Sequence, residues 1–247
     1  MGTGEVMVAE PEIEVSVSGE LPPLELIRAQ GVIGRTLRRH HIDGGARVRL
    51  TGGAHPGGRT VAQVNLVLDG EPVRTQIDGP GGFALTFAAE RLDRQLHRLR
   101  HGAPSRWTPD PGRAPLAQVT GEGLVLHRKR CELQVCAPSV AVTVMDRMDY
   151  DAHLFTDAAT GEDALVYWAG PRGVRMARQR RVHPPRELAQ LPLTMNPHPT
   201  RRLTEHEAAA RLCAYGLPFV FYTDAAAGRG RLLYRRYDGE LGLVSAI

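Results

Sequence analysis

The chain reads as an α+β protein. It has an N-terminal β-α-β-β-β-α domain, a Pro/Gly linker and two tandem small β-rich repeats, each a helix followed by three strands. Three observations predict this. The stretch Phe155–Trp168, FTDAATGEDALVYW, recurs as Tyr222–Arg235, YTDAAAGRGRLLYR, and the two agree without a gap at seven of fourteen positions; that density marks an internal duplication. Residues 102–115, GAPSRWTPDPGRAP, are rich in Pro and Gly and carry no hydrophobic period, as a stiffened linker does. Upstream of them the period alternates between 2 and 3.6 in the order of one sheet with two helices on it. The boundaries that follow are residues 1–101, linker 102–126, first repeat 127–180 and second repeat 181–247.

Residues 1–11 read as a loose acidic tail. Ile13-Glu14-Val15-Ser16-Val17 alternates and predicts a half-buried strand. Pro22-Pro23 introduces a helix over 24–40. Leu26, Ile33 and Leu37 fall on one face, and Arg28, Arg35 and Arg39 repeat the same spacing on the opposite face beside Arg38. Arg47–Leu50 is a short strand, and Gly52–Gly58 a loop. Residues 60–69 and 72–78 form a hairpin closed by Asp69-Gly70, a two-residue turn signal. The second helix spans Phe83–Arg100, with an apolar stripe of Leu85, Ala88, Ala89, Leu92, Leu96 and Leu99. Arg91, Arg94, Arg98 and His101 run beside it. After the linker come a strand over Leu124–His127, the cluster Arg128-Lys129-Arg130, the segment Cys131–Val135, and a helix over 139–149. In each repeat the Asp of Thr-Asp-Ala-Ala-x-Gly opens a turn through its side chain and the Gly takes positive φ. Third strands follow near Val174–Met176 and Leu241–Val244. Residues 181–202 hold five prolines and join the repeats. Thr204 and Glu207 form a capping-box pattern opening a helix to about Tyr215, with Gly216 at its C-terminal end.

Composition narrows the function. The net charge is +4, but residues 1–22 hold five acids and no base, whereas residues 23–101 hold twelve Arg against seven acids. Lys129 is the single lysine; arginine is the stronger phosphate donor. Cys131, Cys136 and Cys213 lack zinc-finger spacing. The group Cys131, Cys136 and His127 is read as structural thiols rather than a metal centre, and a reducing cytoplasm fits. No apolar run reaches the ~20 residues of a membrane span. P-loop, GxSxG and HExxH patterns are absent, so neither catalysis nor a cofactor is expected. A single arginine stripe is more often a solvated face. Two stripes on helices packed side by side can merge into a basic surface on the order of 20 Å long, suited to folded RNA or DNA.

Leu233–Val244, LYRRYDGELGLV, resembles the closing strands of the long-form ribosome hibernation promoting factors. His127–Leu133, HRKRCEL, resembles the basic entry into that family's C-terminal domain, and Leu92–Leu96, LDRQL, resembles its second helix. The resemblance covers nearly the whole chain. It implies a cytoplasmic, non-enzymatic factor that binds 16S rRNA of the 30S subunit, and small-subunit ribosomal proteins, in the mRNA–tRNA cleft. Such a factor blocks translation and holds idle 70S ribosomes. By position, the implied rRNA-binding residues are Arg28, Arg35, Arg38 and Arg39 on the first helix and Arg91, Arg94 and Arg98 on the second. Arg47, Arg74, Arg128, Lys129 and Arg130 complete the set.

The sequence departs from the family pattern in two places. Gly81-Gly82 and Thr86 replace its usual opening of the second helix. The usual member has one C-terminal domain, which homodimerises and pairs ribosomes, whereas this chain has two copies, as in the family's dormancy-linked branch. The expectation is an intramolecular pseudo-dimer rather than a homodimer, and 70S monosomes rather than paired particles. A DNA-binding transcriptional regulator, and a protein-interaction module built on the tandem repeat, stand as alternatives.

Overall fold

The computed structural model describes residues 11–52, 58–110, 121, 123–183, 191–236 and 239–247. Expectations for residues 1–10, the loop at 53–57, the linker over 111–120, the Pro-rich stretch 184–190 and Tyr237-Asp238 lie outside these. The chain divides into two compact units, Met1–Pro104 with Arg147–Asp149, and Ser105–Asp146 with Tyr150–Ile247.

The first unit is the β-α-β-β-β-α domain: β1 (Ile13–Ser18), α1 (Leu24–Arg39), β2 (Ala46–Gly52), β3 (Arg59–Leu68), β4 (Glu71–Pro80) and α2 (Phe83–Arg100). The sheet order is β1-β2-β3-β4, with β1 parallel to β2 and the other pairs antiparallel. Asp69 and Gly70, at φ 51° and 81°, close the predicted hairpin, because both central residues of a type I′ turn need positive φ. Strand alternation sends Val48, Leu50, Ala62, Val64, Leu66 and Val73 to one face of the sheet. There they meet Ala29, Ile33 and Leu37 of α1 and Leu85, Ala88, Leu92 and Leu96 of α2. Burying one such Leu or Ile contributes about 1.5–3 kcal/mol, so this stripe holds both helices on the sheet. Leu26, expected in the stripe, is 39 % exposed. It has the right azimuth but lies in the first turn, and Ala29 is the first α1 side chain the core reaches.

The second unit holds both repeats. The first comprises β6 (Val135–Cys136), α3 (Pro138–Arg147), β7 (Ala152–Asp157), β8 (Asp163–Trp168) and β9 (Val174–Arg178); the second comprises β11 (Arg202–Leu203), α4 (Glu205–Ala214), β12 (Phe219–Asp224), β13 (Gly230–Arg235) and β14 (Leu241–Ala246). Two further strands, β5 (Val125–Cys131) and β10 (Leu193–Met195), precede the repeats. The sheets run β10-β9-β8-β7-β6 and β11-β12-β13-β14-β5. The strand leading into each repeat therefore joins the other repeat's sheet: β5 pairs with β14 and β10 with β9, both parallel. The basic cluster 128–130, expected after a strand, lies inside β5.

Each sheet packs its own helix on one face, around Phe155 and Met145 in the first repeat and Tyr222 and Leu212 in the second. A separate apolar cluster joins Leu133, Leu154 and Leu165 to Leu232, with Phe219, Phe221 and Val244 against it, so the repeats bury their second faces on each other. The duplicated turn behaves as its sequence predicts. Asp157 accepts from Ala159 N at 3.1 Å, Asp224 from Ala227 N at 2.6 Å, and Gly161 and Gly228 have φ of 67° and 68°. Thr204 and Glu207 form the reciprocal capping box at α4. Within the expected linker, residues 105–110 are packed: Arg106 bonds Asp146 at 2.7 Å and Asp110 at 2.5 Å, and Trp107 lies against the first repeat's core.

Candidate nucleic-acid interface

The two helices of the first unit run parallel, and their polar contacts set the geometry of the face they share. Near its start, α1 sends Arg28 to the Gly82 carbonyl (2.7 Å) and Thr86 Oγ1 (2.8 Å) at the start of α2. At its end, Arg39 and His40 both reach Asp93, at 3.0 and 2.9 Å. Asp93 is partly buried, which pushes its pKa up, but the His40 and Arg39 hydrogen bonds and the Arg39 charge outweigh this and hold it below the usual carboxylate value. Neither helix has a side-chain N-cap. Gly82 stands at the α2 N-cap, where a Cβ would meet Arg28 Nη1 at 2.8 Å, so the departure from the family pattern makes room for this link.

The predicted arginines separate by environment. Arg35, Arg38 and Arg94 are exposed and form no hydrogen bond or ion pair with a described residue. Arg39 is 69 % exposed but bonded to Asp93. Arg28 is half-buried and ties α1 to α2. Arg98 is half-buried and partnered. Arg91 is 4 % exposed and paired with Asp149 at 2.6 Å within the same unit. Its spacing puts it beside the stripe, but the face it occupies is covered. Arg47 and Arg74 sit on β2 and β4 between buried neighbours, so strand alternation points them to the sheet face opposite the helices. Arg74 bonds Gln63, Gln76 and the Met148 carbonyl. In the second unit Arg128 bonds Glu205 at 2.5 Å, while Lys129 and Arg130 are exposed along β5 without a described partner.

The outward face of α2 also carries groups the periodicity argument left out. Phe83, Phe87, Glu90, His97 and Arg100 are exposed there, beside the predicted Arg94 and His101. The Phe83 and Phe87 rings stack at 6.2 Å and the His97 and His101 rings lie 4.2 Å apart. Alongside, Leu24 and Ile27 are exposed at the start of α1. The face is thus apolar where the helices begin and basic where they end. A helical wheel of Phe83–His101 would have shown the alignment. The exposure required knowing which side met the sheet.

Cys136 packs in the first repeat's core, Cys131 against the inter-repeat cluster. Among the described residues no three His, Cys, Asp or Glu side chains converge as a metal site, and no helix is long and apolar enough to cross a membrane.

A small α+β domain with an arginine face, joined to a β-rich module, has the architecture of a polyanion-binding factor. Residues 121–173, from the approach to β5 to the turn before β9, match the family described as Sigma 54 modulation/S30EA ribosomal protein C terminus. Across nearly its whole length the chain is 44 % identical, over 245 residues, to the dormancy associated translation inhibitor of Mycobacterium tuberculosis (strain CDC 1551 / Oshkosh); the alignment covers 95 % of this chain and 88 % of that protein. The protein of strain ATCC 25618 / H37Rv matches equally. The chain belongs to this family, as the resemblance in His127–Leu133 and Leu233–Val244 implied.

Proposed function

We propose that this protein is a cytoplasmic, non-enzymatic translation inhibitor that binds the ribosome through the outer face of α1 and α2. The carrying observation is that Arg35, Arg38 and Arg94 are exposed on parallel helices and have no ion-pair partner among the described residues, continued by His97, Arg100 and His101. Cations not neutralised by the protein's own carboxylates are available to phosphate. The relative's name, a dormancy associated translation inhibitor, supports the biological role. The target in this reading is 16S rRNA in the mRNA–tRNA cleft of the 30S subunit, with Lys129 and Arg130 on β5 as a second basic element. The paired repeats act as an intramolecular pseudo-dimer in place of a homodimer, so the hibernating particle is a 70S monosome.

Co-sedimentation with purified 30S and 70S particles tests the first half. Binding is expected to weaken steeply with salt, by ~10³ between 50 and 200 mM for six phosphate contacts. A protein that stays in the supernatant at 50 mM salt rejects the reading, as does one that pellets equally at both salts. Sucrose gradients of 70S ribosomes with excess protein test the second half: a 70S peak is expected, and a protein-dependent 100S peak refutes the monosome.

A further inference from the structure

The two repeats meet at a point where each presents the same position to the other. Asp163 opens β8 and Gly230 opens β13, and they occupy the same place in the duplicated sequence. Asp163 Oδ2 accepts from Gly230 N at 2.7 Å, and the neighbouring equivalents Leu165 and Leu232 share one apolar cluster. Two-fold pairing brings residues near the axis against their own equivalents, and this contact has that character. The residues there have diverged into complements. The first copy carries Glu162-Asp163, the second Arg229-Gly230. Arg229 clasps Asp163 with Nε at 2.8 Å and Nη2 at 3.1 Å, and Asp163 is 2 % exposed.

Self-pairing would fail at this point for each copy. If first copies paired, Asp163 would face Asp163. A Cβ at position 230 would lie 2.6 Å from the Asp163 Cβ, a distance that real Cβ atoms do not tolerate. Two buried carboxylates would also share the space with Glu162 in place of the clasping arginine, and each would keep its Thr156 hydrogen bond (3.0 Å) but lose its cation. If second copies paired, Gly230 would face Gly230 and two Arg229 side chains would converge without a carboxylate. A second asymmetry agrees: Tyr167 of the first copy meets Phe219 of the second edge-on at 5.3 Å, whereas the equivalent of Phe219 in the first copy is Ala152.

We propose that the Glu162-Asp163 and Arg229-Gly230 dipeptides make the two repeats selective partners of each other, so that a second copy of this chain is excluded from first-to-first and second-to-second contacts. This specificity is a difference between interfaces, obtained by building a repulsive element against the unwanted pair as well as an attraction for the wanted one. It rests on the proposed reading that the pair forms within one chain. The tether raises the effective concentration of the wanted partner to about the millimolar range, and the dipeptides remove the competing symmetric pairs.

Three full-length variants test this: both copies Glu-Asp (R229E/G230D), both copies Arg-Gly (E162R/D163G), and the two dipeptides exchanged (all four substitutions). The like-paired variants are expected to melt on the order of 10 °C below wild type, and the exchanged chain to recover more than half of that loss. Mixing the two like-paired variants in equal amounts supplies each chain with complementary copies only on the other. A 1:1 complex of doubled mass by sedimentation is expected, absent from either variant alone. An exchanged chain as unstable as the like-paired ones, together with no complex on mixing, overturns the proposal. If a like-paired variant is recovered unfolded, refolding it with its counterpart gives the same readout: a soluble complex supports selective pairing, and aggregation of both rejects it. A wild-type chain that sediments as a dimer overturns the intramolecular reading separately, because the mixing result still reports which copies recognise each other.

Discussion

The two units use arginine in opposite ways. On the helices of the first, Arg35, Arg38 and Arg94 stand in solvent with no carboxylate partner among the described residues. In the second, four arginines are bound to the protein's own acids: Arg178 to Asp157 at 2.7 Å, Arg231 to Asp224 at 3.1 Å, Arg229 to Asp163 at 2.8 Å and Arg106 to Asp146 at 2.7 Å. The first arrangement leaves charge available to a polyanion. The second consumes it in shaping the duplicated turns and the face between repeats. Arginine content alone therefore does not locate a binding surface; the position of the nearest carboxylate does.

The largest expected effect separates these two uses directly. Reversing Arg35, Arg38 and Arg94 to Glu is expected to lower ribosome affinity at least about 100-fold near 150 mM salt and to flatten the plot of log affinity against log salt by about 3 units of slope. The melting temperature should move little, since these side chains contact nothing in the core. Filter binding across a salt series with parallel calorimetry measures both, and an unchanged slope would remove these residues from the interface. The complementary change is Arg178→Ala. It leaves Asp157 at 0 % exposure without its cation, and the expected cost is about 3–5 kcal/mol of stability, read by urea unfolding. Ribosome association per folded molecule should stay the same, and a selective loss of binding would blur the distinction between the units.

A smaller effect comes from His153 on β7. Its Nε2 is buried with no hydrogen-bond partner among the described residues, and burial lowers its pKa to about 4. The unfolded chain, with His near 6.5, binds a proton that the folded chain refuses between these values. Stability should then be full above about pH 6.5 and fall as pH drops toward 4, by on the order of 3 kcal/mol. His153→Gln is expected to flatten unfolding free energy across that window; an equally steep profile in the variant assigns the pH dependence elsewhere. The smallest effect belongs to α4. Thr204→Ala removes the oxygen that accepts from Glu207 N at 3.2 Å, and a melting point lower by about 2–4 °C is expected.

Much of the architecture was written locally. The period of α2, the Asp69-Gly70 turn, the Thr204 cap and the repeated Asp-to-Gly turns depend on residues within a few positions of one another, so sequence spacing alone predicts them. The order of elements in the first unit followed from the same local signals, and the resemblance at the closing strands carried the family.

The sequence by itself determined that the chain contains a duplicated β-rich unit and two helices with arginine on one flank, because repetition and helical period survive without knowledge of partners. Only the tertiary structure decided which arginines are available. Arg91 and Arg94 are three residues apart on one helix, yet one is buried against Asp149 and the other faces solvent, since what covers a helix face comes from distant chain. It also decided that β5 and β10 exchange sheets and that Asp163 meets Gly230 across 67 residues. Pairing of strands and buried charges is a long-range choice, set by which surfaces can be desolvated together, and no local period encodes it.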